Sequence, residues 1–199
     1  DSGYAGPHLL ILADGMGGHA AGEVASELMV NHLEILYQDP GQEDTKALLE
    51  AAAEQANEAI SDHVKAHPET EGMGTTLSTM LFNGTDFGVC HVGDSRGYLL
   101  RDGKLKQVTK DDTYVQSLVD KGELDPGDVS SHPQKSLILK AYTGRPVEAT
   151  LFTLDAKPGD RILLCSDGLS DPVTASTIET ALGQGSIEQA GSTLVDLAI

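Results

Sequence analysis

The chain contains no tryptophan, and aromatic residues make up only 4% of it. That leaves little from which to build the stacked aromatic platforms that grip single-stranded nucleic acid. Basic residues are scarce as well. There are 13 Lys and Arg against 31 Asp and Glu, a formal net charge of −18. A surface of that sign repels nucleic acid and anionic lipid, both of which need a positive field. No apolar run approaches the roughly 20 residues that span a bilayer, and no secretory leader pattern is present. The expected location is cytoplasmic, either free or as the cytoplasmic domain of a membrane-anchored protein. Cysteine is limited to Cys90 and Cys165, distant from each other and embedded in apolar runs. They read as buried free thiols of a reducing compartment, not as a disulfide or a CxxC metal pair.

What is present is one domain's worth of chain, 199 residues, long enough to bury a sizeable core. The stretch opens at Asp1 without an initiator Met and stops on Leu197-Ala198-Ile199, which reads as a trimmed domain. Leu9–Ala13 is a buried strand. From Glu23, Val24, Ala25, Leu28, Met29, Leu33, Ile35 and Leu36 fall on one side of a helical wheel. A second helix runs from about Thr45 to Ala66, with Leu49, Ala52, Ala53, Ala56, Ile60 and Val64 inward, until His67-Pro68 stops it. The period then changes to two. Strands are expected over Thr75–Phe82, Phe87–Val92, Gly97–Arg101, Leu105–Val108, Thr150–Leu154 and Arg161–Cys165, with Asp102-Gly103 as a hairpin turn. Asp111 to Gly144 is irregular and reads as a small mobile insertion with a short helix near Val115–Val119. Helices return over about Thr174–Leu182 and Ile187–Ile199. Antiparallel hairpins with helices before and after them predict an α+β layered domain, not a βαβ alternation.

Two formal motif matches fail on chemistry. Gly15-x-Gly17-x-x-Ala20 fits the dinucleotide fingerprint, but Asp14 would set a negative charge against the pyrophosphate. Cys90-His-Val-Gly-Asp-Ser-Arg96 fits C-x5-R, but a strand follows it instead of the helix N-terminus that lowers a catalytic thiol's pKa, and Asp94 would sit inside the phosphate cradle.

A third pattern is stronger. Asp14 ends Leu9–Ala13 and precedes Gly15. Asp94 follows Phe87–Val92 and Gly93. Asp167 follows Arg161–Cys165 and precedes Gly168. Three strands each finish in an Asp flanked by glycine, which lets backbone turn sharply and approach a ligand. If these ends converge, the like charges must either hold protons or hold a cation. Oxygen ligands of this kind suit Mg²⁺ or Mn²⁺.

With those residues identified, the stretches ADGMGGHAAGEVAS (13–26), GMGTTL (72–77), HVGDSRGYLLRDG (91–103), TKDDTYVQSLVDKGEL (109–124) and LLCSDGLSDPV (163–173) closely resemble the PPM family, the metal-dependent (type-2C) protein serine/threonine phosphatases, in a bacterial, actinobacterial-like form. The resemblance covers nearly the whole chain as a single catalytic domain. It implies a four-layer αββα sandwich of two antiparallel sheets flanked by helices, with a flap over about 113–144. It implies Mn²⁺ or Mg²⁺, two ions in the core site and a third beside it. By motif match Asp14 bridges the pair, with Asp14 and Asp167 carrying catalysis. The Gly15 carbonyl and Asp167 each bind one core ion. Asp94 holds the third with Asp167, and a flap oxygen near Ser136 reaches it. Asp1 matches the last acid of an upstream family segment and stands behind the ligands. The family's phosphate-clamping Arg and a final Asp-Asn pair have no counterpart within this stretch. Met16 stands where many eukaryotic members carry a His proposed as general acid, leaving metal-bound water or His19 for that task. His19 reads more readily as structural.

The implied activity is hydrolysis of phosphoserine and phosphothreonine by direct attack of a metal-bridging water, opposing bacterial Ser/Thr kinases in signal transduction. The implied partners are phosphorylated proteins, Ser/Thr kinases included. Neither nucleic acid nor membrane contact is expected, and the domain is expected to be a monomer. The rival readings are a pseudophosphatase, a related phosphatase acting on an anti-sigma-factor antagonist, and a divalent-cation-binding module without turnover.

Overall fold

A computed structural model describes residues 1–199. In chain order its strands are β1 (Ser2–Ala5), β2 (Leu9–Ala13), β3 (Gly15–Met16), β4 (Gly74–Thr75), β5 (Leu77–Phe82), β6 (Asp86–Val92), β7 (Arg96–Arg101), β8 (Lys104–Gln107), β9 (Thr150–Asp155) and β10 (Arg161–Cys165). The helices are α1 (His19–Leu33), α2 (Thr45–Ala66), α3 (Tyr114–Asp120), α4 (Asp167–Ser170), α5 (Ala175–Leu182) and α6 (Ile187–Ala198). Every strand pairing is antiparallel, in a five-stranded sheet ordered β1-β2-β5-β6-β9, a three-stranded sheet ordered β10-β7-β8, and a two-stranded ribbon β3-β4.

The side chains explain the layering. One face of the large sheet carries Leu9, Ile11, Leu77, Leu81, Cys90 and Val92, all buried in one cluster with Met29 and Leu33 of α1 and Leu49, Ala53, Ala56 and Ile60 of α2. Each fully buried Leu or Ile there contributes about 1.5–3 kcal/mol. Asp44 caps α2 by accepting from the backbone N–H groups of Lys46 and Ala47. The small sheet turns Tyr98, Leu100 and Cys165 toward a second cluster that holds Leu169, Ile178, Leu182 and Leu194 of α4, α5 and α6. The remaining faces of the two sheets approach each other at Gly97, where a Cβ would come within 2.9 Å of the Met80 methyl and 3.3 Å of Leu164.

Three details differ from the sequence reading. Helix α1 begins at His19, four residues ahead of Glu23, and its first turns bring Gly22, which gives no apolar signal, against Gly15 and Met16 of β3. The strand expected from Thr75 is interrupted at Thr76. The β2–β5 and β3–β4 ladders keep one register, Leu12 opposite Ser78 and Gly15 opposite Thr75, so a single ribbon departs from its ladder where Asp14 faces Thr76. β1, too short and mixed to show periodicity, adds an edge strand with Ser2 opposite Ala13.

Candidate metal centre

Asp14 follows β2, Asp94 lies in the turn between β6 and β7, and Asp167 opens α4 directly after β10. The two sheets therefore deliver these acids to one end of the molecule. Their proximity shows in their acidity. The Asp14 carboxyl is pushed up to about 6 by burial, then by the charge of Asp167 and of Asp94. Asp94 is pushed up to about 6 by burial, then by Asp167, Asp111 and Asp171. None of the molecule's ion pairs involves Asp14, Asp94 or Asp167. Asp14 and Asp167 also share a side-chain hydrogen bond, which adds to the rise in the Asp14 pKa. Half-buried carboxylates without a basic partner are a donor set for a hard divalent cation, so the residues fit the metal the resemblance implies.

A cleft of about 230 Å³ opens beside them, lined by Asp94, Asp111, Asp167, Asp171, Lys135 and Ser136 among others. Ser136, exposed, thus stands on the same cleft as Asp94 and Asp167. A larger cleft of about 410 Å³ lies along α2, against Tyr142, Gly144 and Val147, and carries none of the strand-end acids. Gly15 sits tight against α1, where a Cβ would fall 1.9 Å from the Gly22 carbonyl oxygen. The register of β1 sets Asp1 across from Asp14. His19, read as structural, is exposed in the first turn of α1 and forms no hydrogen bond.

The thiolate reading is excluded. Cys90 is buried on the helix-facing side of the large sheet, and burial pushes its thiol up to about 12. Arg96 is occupied by Asp111, with Nε 3.0 Å from Oδ1 and Nη2 2.7 Å from Oδ2.

Several contributors escaped the sequence reading. Asp171 lines the cleft and raises Asp94's pKa. The Asp112 carboxylate accepts from the Gly93 N–H at 2.9 Å, and its backbone N–H donates to the Gly93 carbonyl at 2.9 Å. The paired acids of the TKDD stretch were the available signal. Thr76 and Ser95, wholly buried, bond to each other at 2.6 Å. Both lie in stretches that carry the resemblance, GMGTTL and HVGDSRGYLLRDG, but their pairing left no local trace, because the partners of Thr76 are 62 and 19 positions from it.

The family profile described as Protein phosphatase 2C matches residues 2–190. The chain is 55% identical over 199 residues to a Mycobacterium tuberculosis protein named Serine/threonine protein phosphatase PstP, covering 100% of this chain and 39% of that protein. It is 35% identical over 179 residues to the Serine/threonine phosphatase stp of Listeria innocua, covering 87% of this chain and 71% of that protein. Among solved structures, the M. tuberculosis phosphatase PstP/Ppp superposes with a TM-score of 0.96 at 55% identity, over 99% of this chain and 84% of that one. The catalytic domain of PstP in complex with two manganese ions superposes with a TM-score of 0.92 at 52% identity, over 99% and 83%.

Proposed function

The chain belongs to the protein phosphatase 2C family, and on that premise we propose that it hydrolyses phosphoserine and phosphothreonine in proteins, using divalent cations held at the converging strand ends. The observation that carries this reading is the meeting of Asp14, Asp94 and Asp167 without a basic partner, with Asp14 and Asp94 pushed up to about 6. The manganese complex of the PstP catalytic domain supports Mn²⁺ as the cation.

Asp14, the Gly15 carbonyl and Asp167 would hold two ions, with Asp14 shared. Asp94 with Asp167 would hold a third, facing Ser136 across the cleft. Bound cations would supply a water nucleophile at neutral pH and neutralise the phosphate oxygens. The chain's own residues set the geometry. Asp14 and Asp167, each at the end of a strand, would hold the ions from opposite sheets, and rigid supports of this kind would keep a reacting phosphate in line. Cys90 takes no part, and direct attack by water would leave no phospho-enzyme. Met16 has no proton to give the leaving alkoxide, so metal-bound water or His19, exposed in the first turn of α1, would serve.

The same reading extends to the architecture, a four-layer αββα sandwich in which residues 113–144 form a flap beside the cleft. It extends to phosphorylated proteins, Ser/Thr kinases among them, as substrates of a monomeric cytoplasmic domain. No helix is long and apolar enough to cross a membrane.

The test is phosphate release from a phosphothreonine peptide, with Mn²⁺ and with chelator, for the wild-type chain and for Asp14→Ala and Cys90→Ser. Turnover that needs Mn²⁺, vanishes in Asp14→Ala and survives in Cys90→Ser is the expected result. Mn²⁺ binding without hydrolysis of any phosphoester would replace this reading with a binding module.

A further inference from the structure

Sheet order and register place Thr76 at the centre of the site. β5 lies between β2 and β6. Continuing the β2–β5 ladder two steps past Leu12 opposite Ser78 sets Thr76 opposite Asp14, and continuing the β5–β6 ladder one step past Leu77 opposite Val92 sets it opposite Gly93. Thr76 is therefore the one residue that borders both the strand end carrying Asp14 and the turn carrying Asp94.

At this position the backbone ladder is rewired through hydroxyls. Thr76 N–H donates to the Asp14 carbonyl at 3.0 Å, as an antiparallel pair requires. The reciprocal bond is not made to the Thr76 carbonyl. Asp14 N–H donates to Thr76 Oγ1 at 3.1 Å instead, while the Thr76 carbonyl accepts from the Thr75 hydroxyl at 2.8 Å. Thr76 Oγ1 also meets Ser95 Oγ at 2.6 Å. Ser95 directly follows Asp94, and both hydroxyl residues are wholly buried. Gly93 accommodates this contact: it holds φ at 107°, and a Cβ there would lie 2.8 Å from the Thr76 Cβ.

We propose that the Thr76–Ser95 hydroxyl pair is a positioning device that sets the spacing of Asp14 and Asp94, and with it the affinity of the site for divalent cation. A rung made by two short side chains at the point where the ladder is interrupted gives Asp14 a fixed direction and ties it to the Asp94 turn. Groups that orient ligands in this way commonly control metal affinity as strongly as the ligands' own surroundings do. The inference rests on the metal-site reading above.

The test is Mn²⁺ binding by calorimetry, with thermal melting of the metal-free proteins, for wild type, Thr76→Val, Thr76→Ser, Ser95→Ala and Thr79→Val. Thr79→Val is the control. Thr79 is equally buried, three residues on in β5, and its hydroxyl donates across to β2 at the Leu10 carbonyl at 2.8 Å, away from the site. Thr76→Val keeps the shape that packs on Gly93 and removes the hydroxyl.

The expected result is a loss of Mn²⁺ affinity of about 10–100-fold in Thr76→Val and a loss in Ser95→Ala. Thr76→Ser should restore binding, and Thr79→Val should lower the melting temperature while binding as wild type does. Should Thr76→Val fail to fold, Ser95→Ala and Thr76→Ser carry the same comparison. Wild-type affinity in Thr76→Val and Ser95→Ala, or an equal loss in Thr79→Val, would overturn the positioning role and leave the metal site standing. A wild-type chain that binds no Mn²⁺ would overturn the metal site itself.

Discussion

Arg96 and Asp111 meet side-on, with Nε 3.0 Å from Oδ1 and Nη2 2.7 Å from Oδ2, and Arg96 also donates to the Tyr98 hydroxyl at 3.2 Å. The pair joins the start of β7, two residues after Asp94, to the segment that leads into α3. Both side chains are largely shielded, 26% and 13% exposed. Breaking it leaves a guanidinium with half its fork unsatisfied. Asp111→Asn is expected to lose roughly 1–3 kcal/mol in urea unfolding, and Arg96→Lys to lose a comparable amount, since an ammonium cannot reproduce the two parallel bonds. An unchanged urea midpoint in either variant would contradict a structural role for the pair.

The crowded acids set a pH dependence. Asp14 and Asp94 sit at about 6 when folded, above the ordinary value of 3.8. Between those values the native metal-free protein binds more protons than the unfolded chain, so these groups make stability fall as pH rises through that window. Their full cost is present above the folded value. In chelator at about pH 7.5, Asp94→Asn is therefore expected to melt higher than wild type, and near pH 4 the gap should close. Asp94→Asn melting at or below wild type at the higher pH would refute the repulsion argument.

His91 predicts the opposite slope. Its ring is 1% exposed, with Nε2 2.9 Å from the Lys110 carbonyl and Nδ1 2.9 Å from the Ser78 hydroxyl. A neutral imidazole meets both partners, with Nε2–H donating to the Lys110 carbonyl and Nδ1 facing the Ser78 hydroxyl. Burial lowers its pKa below 6.5, against the pull of Asp112 and Asp111. The unfolded chain then takes up the proton first, and stability is lost as pH falls below that ordinary value. An NMR titration is expected to show His91 still neutral where exposed histidines have charged. A midpoint at or above the ordinary value would rule this out.

Two glycines with opposite surroundings separate close approach from mere flexibility. Gly15→Ala would place a Cβ 1.9 Å from the Gly22 carbonyl oxygen, and backbone on both sides leaves nothing flexible to yield. It is expected to cost at least about 3 kcal/mol. Gly191 lies inside α6 with open space where its Cβ would be, so Gly191→Ala is expected to gain about 1 kcal/mol. Chemical denaturation of the two variants checks both signs.

Much of the fold was legible because burial leaves a local trace. The leucines and alanines of α2 repeat on one face, and its His67-Pro68 stop can be read directly. Asp102-Gly103 announces its hairpin, and Asp102 does adopt a positive φ of 52°. The α1 start was obscured because Gly22 is placed by close backbone contact with Gly15 and Met16, which has no hydrophobic period.

The sequence by itself determined that Asp14, Asp94 and Asp167 each follow a buried strand next to a glycine, and so that a cation site was the natural use for them. Strand alternation and turn residues are local properties, carried by neighbours a few positions apart. Only the tertiary structure decided that β5 lies between β2 and β6, that Thr76 therefore borders both Asp14 and Gly93, and that Ser95, Asp112 and Asp171 complete the surroundings. Those relationships depend on pairing register between strands dozens of residues apart. Register is set by the packing of whole faces and not by any residue's own preference.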